Sequence, residues 1–253
     1  MTLVIAHRGS SWALPEHTLD AYRRAIDEGA DGLECDVRLT RDGHLICIHD
    51  GRLDRTSNGH GLVSSATLDD LRQLDFGSWH PHDPAPAEVL TLDLLLQTAL
   101  SAGRPLTLLI ETKHPSRFGG LVERRLVELL RRYRLAGDEA RPAPPVQVVV
   151  MSFSPLALRR MRLLAPAVPT VFLFELAVPR LREGRPPNGV AALGPGINVV
   201  RNHPDLVRRG HAEGHQVYVW TVNQPADVDL VLGLGVDGVI SDRPAYVLSQ
   251  LGR

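Results

Sequence analysis

From end to end the chain alternates short apolar runs with amphipathic segments, and that rhythm limits its fold more than any other feature. Residues 3–7, 32–39, 106–113, 146–153, 171–175, 197–200, 216–222 and 238–241 read as strands bounded by turn-forming residues. Between them, 19–29, 92–100, 121–133, 154–164, 204–213 and 225–234 carry helical spacing, and the last three open with Pro155, Pro204 and Pro225 at or near the first turn, where proline is best tolerated. Eight strands interleaved with helices over 253 residues is the size and rhythm of a (β/α)8 TIM barrel. A doubly wound open sheet shares that rhythm, so periodicity alone leaves the two open.

One interval breaks the pattern. Asp42-Gly43 is a hairpin signal, so residues 45–48 are expected to fold back on the second strand and return His49 toward Asp36. From Leu45 to Val89 the chain then runs ~45 residues before the next helix, far beyond an ordinary connection. It holds Gly51, Gly59, Gly61, Gly77 and the stretch Trp79-His80-Pro81-His82-Asp83-Pro84. The expectation is a single domain over 1–253 with a small insertion after the second strand, at about 50–89. The proline-rich segment 140–145 reads as a loop entering the next strand, and the arginine-rich segment 123–134 as a solvated helix face.

Composition removes several function classes. With 28 Lys and Arg against 29 Asp and Glu the formal net charge is -1, which gives no pull toward nucleic acid. No apolar run approaches the ~20 residues of a membrane span, so no stable membrane insertion is expected. Met1 through Ile5 lead straight into the first strand, leaving no room for an export signal, so the protein is expected to be cytoplasmic. Cys35 and Cys47 sit in apolar runs and read as reduced, buried thiols.

The chemistry concentrates at strand ends. Leu33-Glu34-Cys35-Asp36-Val37 sets two carboxylates on one strand face, with Leu33, Cys35 and Val37 on the other. Acids side by side in an apolar strand repel and lose hydration unless a cation offsets them. Glu111-Thr112-Lys113 repeats the i, i+2 spacing. His7-Arg8, Trp220 and Ser241-Asp242 close other strands, and a barrel would bring all of these to its carboxyl-terminal rim. Glu34, Asp36 and Glu111 form an oxygen-only set suited to one divalent ion, Mg²⁺ or Ca²⁺. The competing reading makes Glu111 and Lys113 an interior ion pair and matches Glu34 with Arg38. His80-Pro81-His82 is the one His-X-His pair and has no paired cysteines for a zinc site. His7 and His49 supply side chains of the one type that can both donate and accept a proton near neutral pH, while Arg8 and Lys113 suit an anion. A metal, two cations and two histidines together suit phosphoryl chemistry.

In order and spacing, His7-Arg8-Gly9, Pro15-Glu16-His17-Thr18, the Glu34/Asp36 strand and His49-Asp50-Gly51-Arg52-Leu53-Asp54-Arg55-Thr56 resemble the glycerophosphodiester phosphodiesterases. The resemblance continues through Asn58-Gly59-His60-Gly61, Ile110-Glu111-Thr112-Lys113, Ser152-Phe153, Val219-Trp220-Thr221-Val222-Asn223 and the run from Gly235 to Pro244. It implies a TIM barrel with an insertion after the second strand, and a divalent metal at Glu34, Asp36 and Glu111. It also implies an acid–base pair, His7 and His49, and phosphate contacts from Arg8 and Lys113. Phe153, Trp220 and the His/Pro-rich insertion are expected to shape the substrate's alcohol pocket.

The implied reaction releases glycerol 3-phosphate and an alcohol from a small glycerophosphodiester, the substrate's own glycerol hydroxyl attacking phosphorus first. The oligomeric state and the identity of acid and base stay open at this level. A phospholipase acting on lipid phosphodiesters is the rival enzyme, disfavoured because no apolar surface loop or basic membrane patch stands out. A non-catalytic phosphate-binding barrel is the rival from another class, disfavoured by the intact histidines and carboxylates. One departure stands out: the family usually carries Glu-Asn-Thr where this chain has Glu16-His17-Thr18. His17 is expected to point into the site.

Overall fold

The computed structural model describes residues 1–137 and 145–253, so the expected proline-rich loop lies largely outside the described residues. Its strands are β1 (Leu3–His7), β2 (Gly32–Leu39), β3 (Leu45–Cys47), β4 (Leu106–Thr112), β5 (Val146–Ser152), β6 (Thr170–Phe174), β7 (Ala192–Pro195), β8 (Gln216–Val219) and β9 (Gly238–Ser241). The helices are α1 (Leu19–Asp27), α2 (Leu68–Leu71), α3 (Leu92–Leu100), α4 (Leu121–Arg132), α5 (Pro155–Leu164), α6 (Pro179–Arg182), α7 (Ile197–Asn202), α8 (Asp205–Ala212), α9 (Pro225–Leu234) and α10 (Pro244–Gln250).

Pairing decides between barrel and open sheet. β1 pairs in parallel with both β2 and β9, so the sheet closes into a ring of parallel strands with helices between them, a (β/α)8 barrel. The interior is filled by Ile5, Leu109, Met151, Leu173, Tyr218, Ile240 and their neighbours. The opposite strand faces carry Leu33, Cys35, Val37, Leu108 and Ile110, which pack under helices α1, α3 and α4. Cys35 and Cys47 are both free and buried.

β3 returns antiparallel on β2 through a short loop, as the Asp42-Gly43 signal implies, and the backbone N–H of Ile48 donates to the Asp36 carbonyl. Residues 51–89 then carry a short 3₁₀ turn, Val63–Ser65, and α2. They pack a small apolar cluster of their own, including Ile46, Ile48, Leu53, Leu71 and Phe76. Thr91 caps α3 by accepting from Leu94 N, and Ser154 caps α5 ahead of Pro155.

Two expectations need correcting. Residues 197–200 are not a strand: they begin α7, and the strand is Ala192–Pro195. The run Ile-Asn-Val-Val suits either period, while Ala-Leu-Gly-Pro reads locally as a turn. Inside the barrel the glycine suits close packing, because a Cβ on Gly194 would lie 2.7 Å from the Leu173 side chain and 2.9 Å from that of Val171. The arginine-rich face of α4 is likewise not wholly solvated, since Glu123 is fully buried and accepts a 2.6 Å hydrogen bond from His114. No helix among the described residues is long and apolar enough to cross a membrane.

Candidate active site

Strand register builds the site. Parallel pairing sets His7 level with Glu34, and Asp36 level with Glu111, on the inward faces of three adjoining strands. At the end of β1 the chain turns sharply, with Arg8 at φ 56° and His17 at φ 60°, conformations seldom adopted by non-glycine residues. The turn is tied down: Arg8 N donates to the Glu34 carbonyl and His17 N to the Arg8 carbonyl. Gly9, at φ 88°, lets this loop press on α1, where any Cβ would lie 2.7 Å from the Ala21 carbonyl carbon.

His7, Arg8, Glu34, His49, Glu111, Lys113, Phe153 and Trp220 line one cavity of about 230 Å³ at the barrel mouth. Asp36 lies just beneath it, 1% exposed. The predicted histidines, cations, carboxylates and two aromatic residues are therefore brought together, but no residue of the His/Pro-rich insertion lines this cavity, because that segment packs outside the barrel mouth. Phe153 and Trp220 meet edge to face with ring centroids 5.3 Å apart. A larger cleft, about 690 Å³ and lined by Asp42, Arg72 and Arg132 among others, holds none of these groups.

Oxygens of Glu34, Asp36 and Glu111 lie within 4.8 Å of one another, the one such group among the described residues. Lys113 Nζ reaches Glu111 at 2.8 Å and Asp36 at 3.2 Å, and Arg8 Nε lies 3.0 Å from Asp36 without an aligned hydrogen bond. Half of the competing ion-pair reading is thus present. The other half is not, because Arg38 donates to the His49 carbonyl at 2.9 Å. Burial would raise Asp36, but Arg8, the His17 hydrogen bond and Lys113 outweigh it and hold the carboxyl well below its ordinary range. Burial first, and Asp36 second, push Glu34 well up and Glu111 up to about 8. Burial and mutual repulsion thus oppose the charged forms of two of the three acids, an opposition that a divalent ion held by hard oxygen ligands would offset.

Each histidine is backed by a carboxylate. His7 Nδ1 lies 2.5 Å from Asp242, itself held by Asn223 and Ser11, and His49 Nδ1 lies 2.7 Å from Asp50. Both rings therefore keep Nε2 as the free nitrogen. Burial lowers His49 below its ordinary value, with Asp36 opposing the shift. Glu16 bridges Arg8 and Arg55, the latter by two 2.8 Å bonds, and Arg55 also holds Asp50. Sequence reasoning placed Asp242 at a strand end without a role. Its position two residues after inward-facing Ile240 was the available signal.

His17 is buried and does not line the cavity. Its Nε2 lies 3.0 Å from Asp36, and its Nδ1 lies 2.8 Å from the Tyr22 hydroxyl. It points at the site, as expected, but from behind a carboxylate.

The model of the glycerophosphoryl diester phosphodiesterase family matches residues 7–246. A Mycobacterium tuberculosis protein named "Probable glycerophosphodiester phosphodiesterase 1" is 46% identical, over 98% of this chain and 92% of its own. A Bacillus subtilis glycerophosphodiester phosphodiesterase is 35% identical over 96% of this chain and 84% of its own. Among solved structures, an Oleispira antarctica phosphodiesterase in complex with the product sn-glycerol-3-phosphate superposes with a TM-score of 0.84 at 27% identity, covering 100% of this chain and 98% of that one. On fold, site geometry and similarity across nearly its whole length, the chain belongs to the glycerophosphoryl diester phosphodiesterase family.

Proposed function

We propose that the protein hydrolyses glycerophosphodiesters to glycerol 3-phosphate and a free alcohol. The observation that carries this reading is the meeting of two carboxylate-backed histidines, two cations and a cluster of three buried acids at one cavity mouth, two of the acids lining it and Asp36 beneath, in a chain of this family. Glu34, Asp36 and Glu111 would hold one Mg²⁺ or Ca²⁺, which when bound supplies positive charge for the phosphate oxygens. Arg8 and Lys113 add fixed charge on the same side, and the apolar barrel floor keeps the site dry.

His49 is the proton acceptor in this scheme, because burial keeps its ring neutral. It takes the proton of the attacking glycerol 2-hydroxyl, while His7, oriented by Asp242, gives a proton to the leaving alcohol oxygen. The new P–O bond closes a cyclic phosphate, and water opens it with the two proton transfers reversed. A coupled assay for glycerol 3-phosphate, run on glycerophosphocholine, glycerophosphoethanolamine and glycerophosphoglycerol with Mg²⁺, Ca²⁺ or chelator, tests the reading. Release that needs metal supports it; no release from any diester with either ion overturns it.

A further inference from the structure

The His/Pro-rich stretch stays out of the cavity, yet it bears directly on the loop behind His7. His80 is buried, at 5% exposure, and Trp79 and His82 meet its ring edge to face at centroid distances of 5.5 and 5.7 Å. No third histidine, cysteine or acid joins His80 and His82 at ligand distance among the described residues. The His80 ring is instead engaged by protein groups at both nitrogens. The Asp83 backbone N–H donates to Nδ1 at 3.3 Å, so the ring proton lies on Nε2. Nε2 in turn donates at 3.3 Å to the carbonyl of Ser11, in the loop between β1 and α1. His82 makes a second contact with that loop, its ring centroid 6.0 Å from that of Trp12. Arg243 also lies over Trp12, its guanidinium carbon 4.7 Å from the ring centroid. The bracing segment is itself pinned, since Asp75 accepts from the backbone N–H groups of Gly77, Ser78 and Ala87.

The braced loop carries the groups that aim His7. The Ser11 hydroxyl lies 2.7 Å from the His7 carbonyl and 3.1 Å from Asp242 Oδ1, the same oxygen that meets His7 Nδ1. The next residue, Trp12, donates its backbone N–H to the Asp242 carbonyl at 3.0 Å. We infer that His80 is a positioning residue for proton transfer: through Ser11 it fixes the loop that seats Asp242 behind His7. The proposal rests on the diesterase reading, in which His7 gives a proton to the leaving alcohol. Proton transfer tolerates little misplacement, and a shift of about 1 Å is enough to cost ~10²-fold in rate. The loop runs over the surface, with Trp12 52% exposed, so a brace from outside the barrel holds what the barrel itself does not cover. The insertion thereby acts on the reaction without touching the substrate.

The test compares wild type with His80→Phe, His80→Asn and His80→Gln on two diesters, glycerophosphocholine and the p-nitrophenyl ester of glycerol 3-phosphate. The second releases p-nitrophenolate, which leaves without a proton from His7. Phenylalanine keeps a ring and loses the donor, asparagine stops short of the Ser11 carbonyl, and glutamine reaches it. The quantity measured is kcat/KM for alcohol release, which reports only the steps up to P–O cleavage. On glycerophosphocholine it should fall about 10- to 100-fold in the Phe and Asn variants and return to within ~3-fold of wild type in the Gln variant. On the p-nitrophenyl ester all four proteins should react at similar rates. Thermal melts identify the folded variants, and either the Phe or the Asn variant suffices for the comparison. Wild-type kcat/KM for glycerophosphocholine in a folded Phe or Asn variant overturns the proposal. An equal loss on both esters also overturns it, since that pattern marks a general disturbance of the site. A wild type that hydrolyses neither diester overturns the diesterase reading and, with it, the place of His80 in that reaction.

Discussion

His17 Nε2 sits 3.0 Å from Asp36 Oδ2 behind the carboxylate cluster, and the ring's other nitrogen is engaged by Tyr22, whose hydroxyl also reaches the Glu34 carbonyl at 3.0 Å. Burial lowers the His17 imidazole, and its hydrogen bond to Asp36 opposes that shift. Its function in the fold is to aim Asp36. An asparagine side chain can donate the same bond, so His17→Asn should keep kcat/KM within about tenfold of wild type. His17→Ala leaves Asp36 with one donor fewer, and its apparent metal affinity should fall about 10- to 100-fold. Side-by-side metal titrations of activity check both. Equal loss in the two variants would show that the imidazole itself is needed.

Glu111 is pushed up to about 8 by burial and by Asp36, so without metal its charged form is disfavoured at neutral pH. Glu111→Gln removes that repulsion and leaves Lys113 its contact with Asp36. The metal-free variant should therefore melt no lower than metal-free wild type, while activity is lost. Added Mg²⁺ or Ca²⁺ should raise the wild-type Tm and leave the variant's nearly unchanged. Calorimetric scans with and without chelator measure this.

A general acid or base typically contributes about 10²- to 10⁴-fold, so under the proposed roles His7→Ala and His49→Ala should each lose activity in that range. Because His49 is lowered from its ordinary value, its neutral form dominates at neutral pH. The acid limb of kcat/KM should accordingly have a midpoint below the ordinary histidine value of ~6.5. That limb should disappear from the residual activity of His49→Ala and persist in His7→Ala. A persisting limb in His49→Ala would reverse the assignment.

Asp242→Asn tests the orientation of His7. The amide can donate to Nδ1 and so favour the tautomer with the proton on Nε2. Activity should drop by at least about tenfold with substrate KM little changed, the pattern of a lost transition-state interaction.

Glu16 lies at about 2, because the Arg55 hydrogen bonds and Arg8 overcome the opposing effect of burial. Its folded value is below its unfolded one, so its contribution to stability is complete above the ordinary glutamate range. That contribution is lost as pH falls toward 2. At most it is worth about 3 kcal/mol. Glu16→Gln should flatten the stability curve between pH 5 and 2, measured by urea unfolding at stepped pH.

Strand and helix rhythm, the inward pairing of Glu34 with Asp36, and the hairpin returning His49 were all legible in the sequence. Each follows from local periodicity or turn chemistry, and β2 shows why: alternation alone sends Glu34 and Asp36 to one face and Leu33, Cys35 and Val37 to the other. Long-range geometry decided the rest. Closure came from β1 pairing with β9, whose residues lie more than two hundred positions apart. The β7 segment hides in the sequence because its glycine and proline suit a turn, and only the crowding by Leu173 makes that glycine a barrel residue. Asp242 behind His7, His17 behind Asp36, and Phe153 against Trp220 join side chains from separate βα units. No local pattern encodes such contacts, since they depend on which strand ends the closed sheet sets side by side.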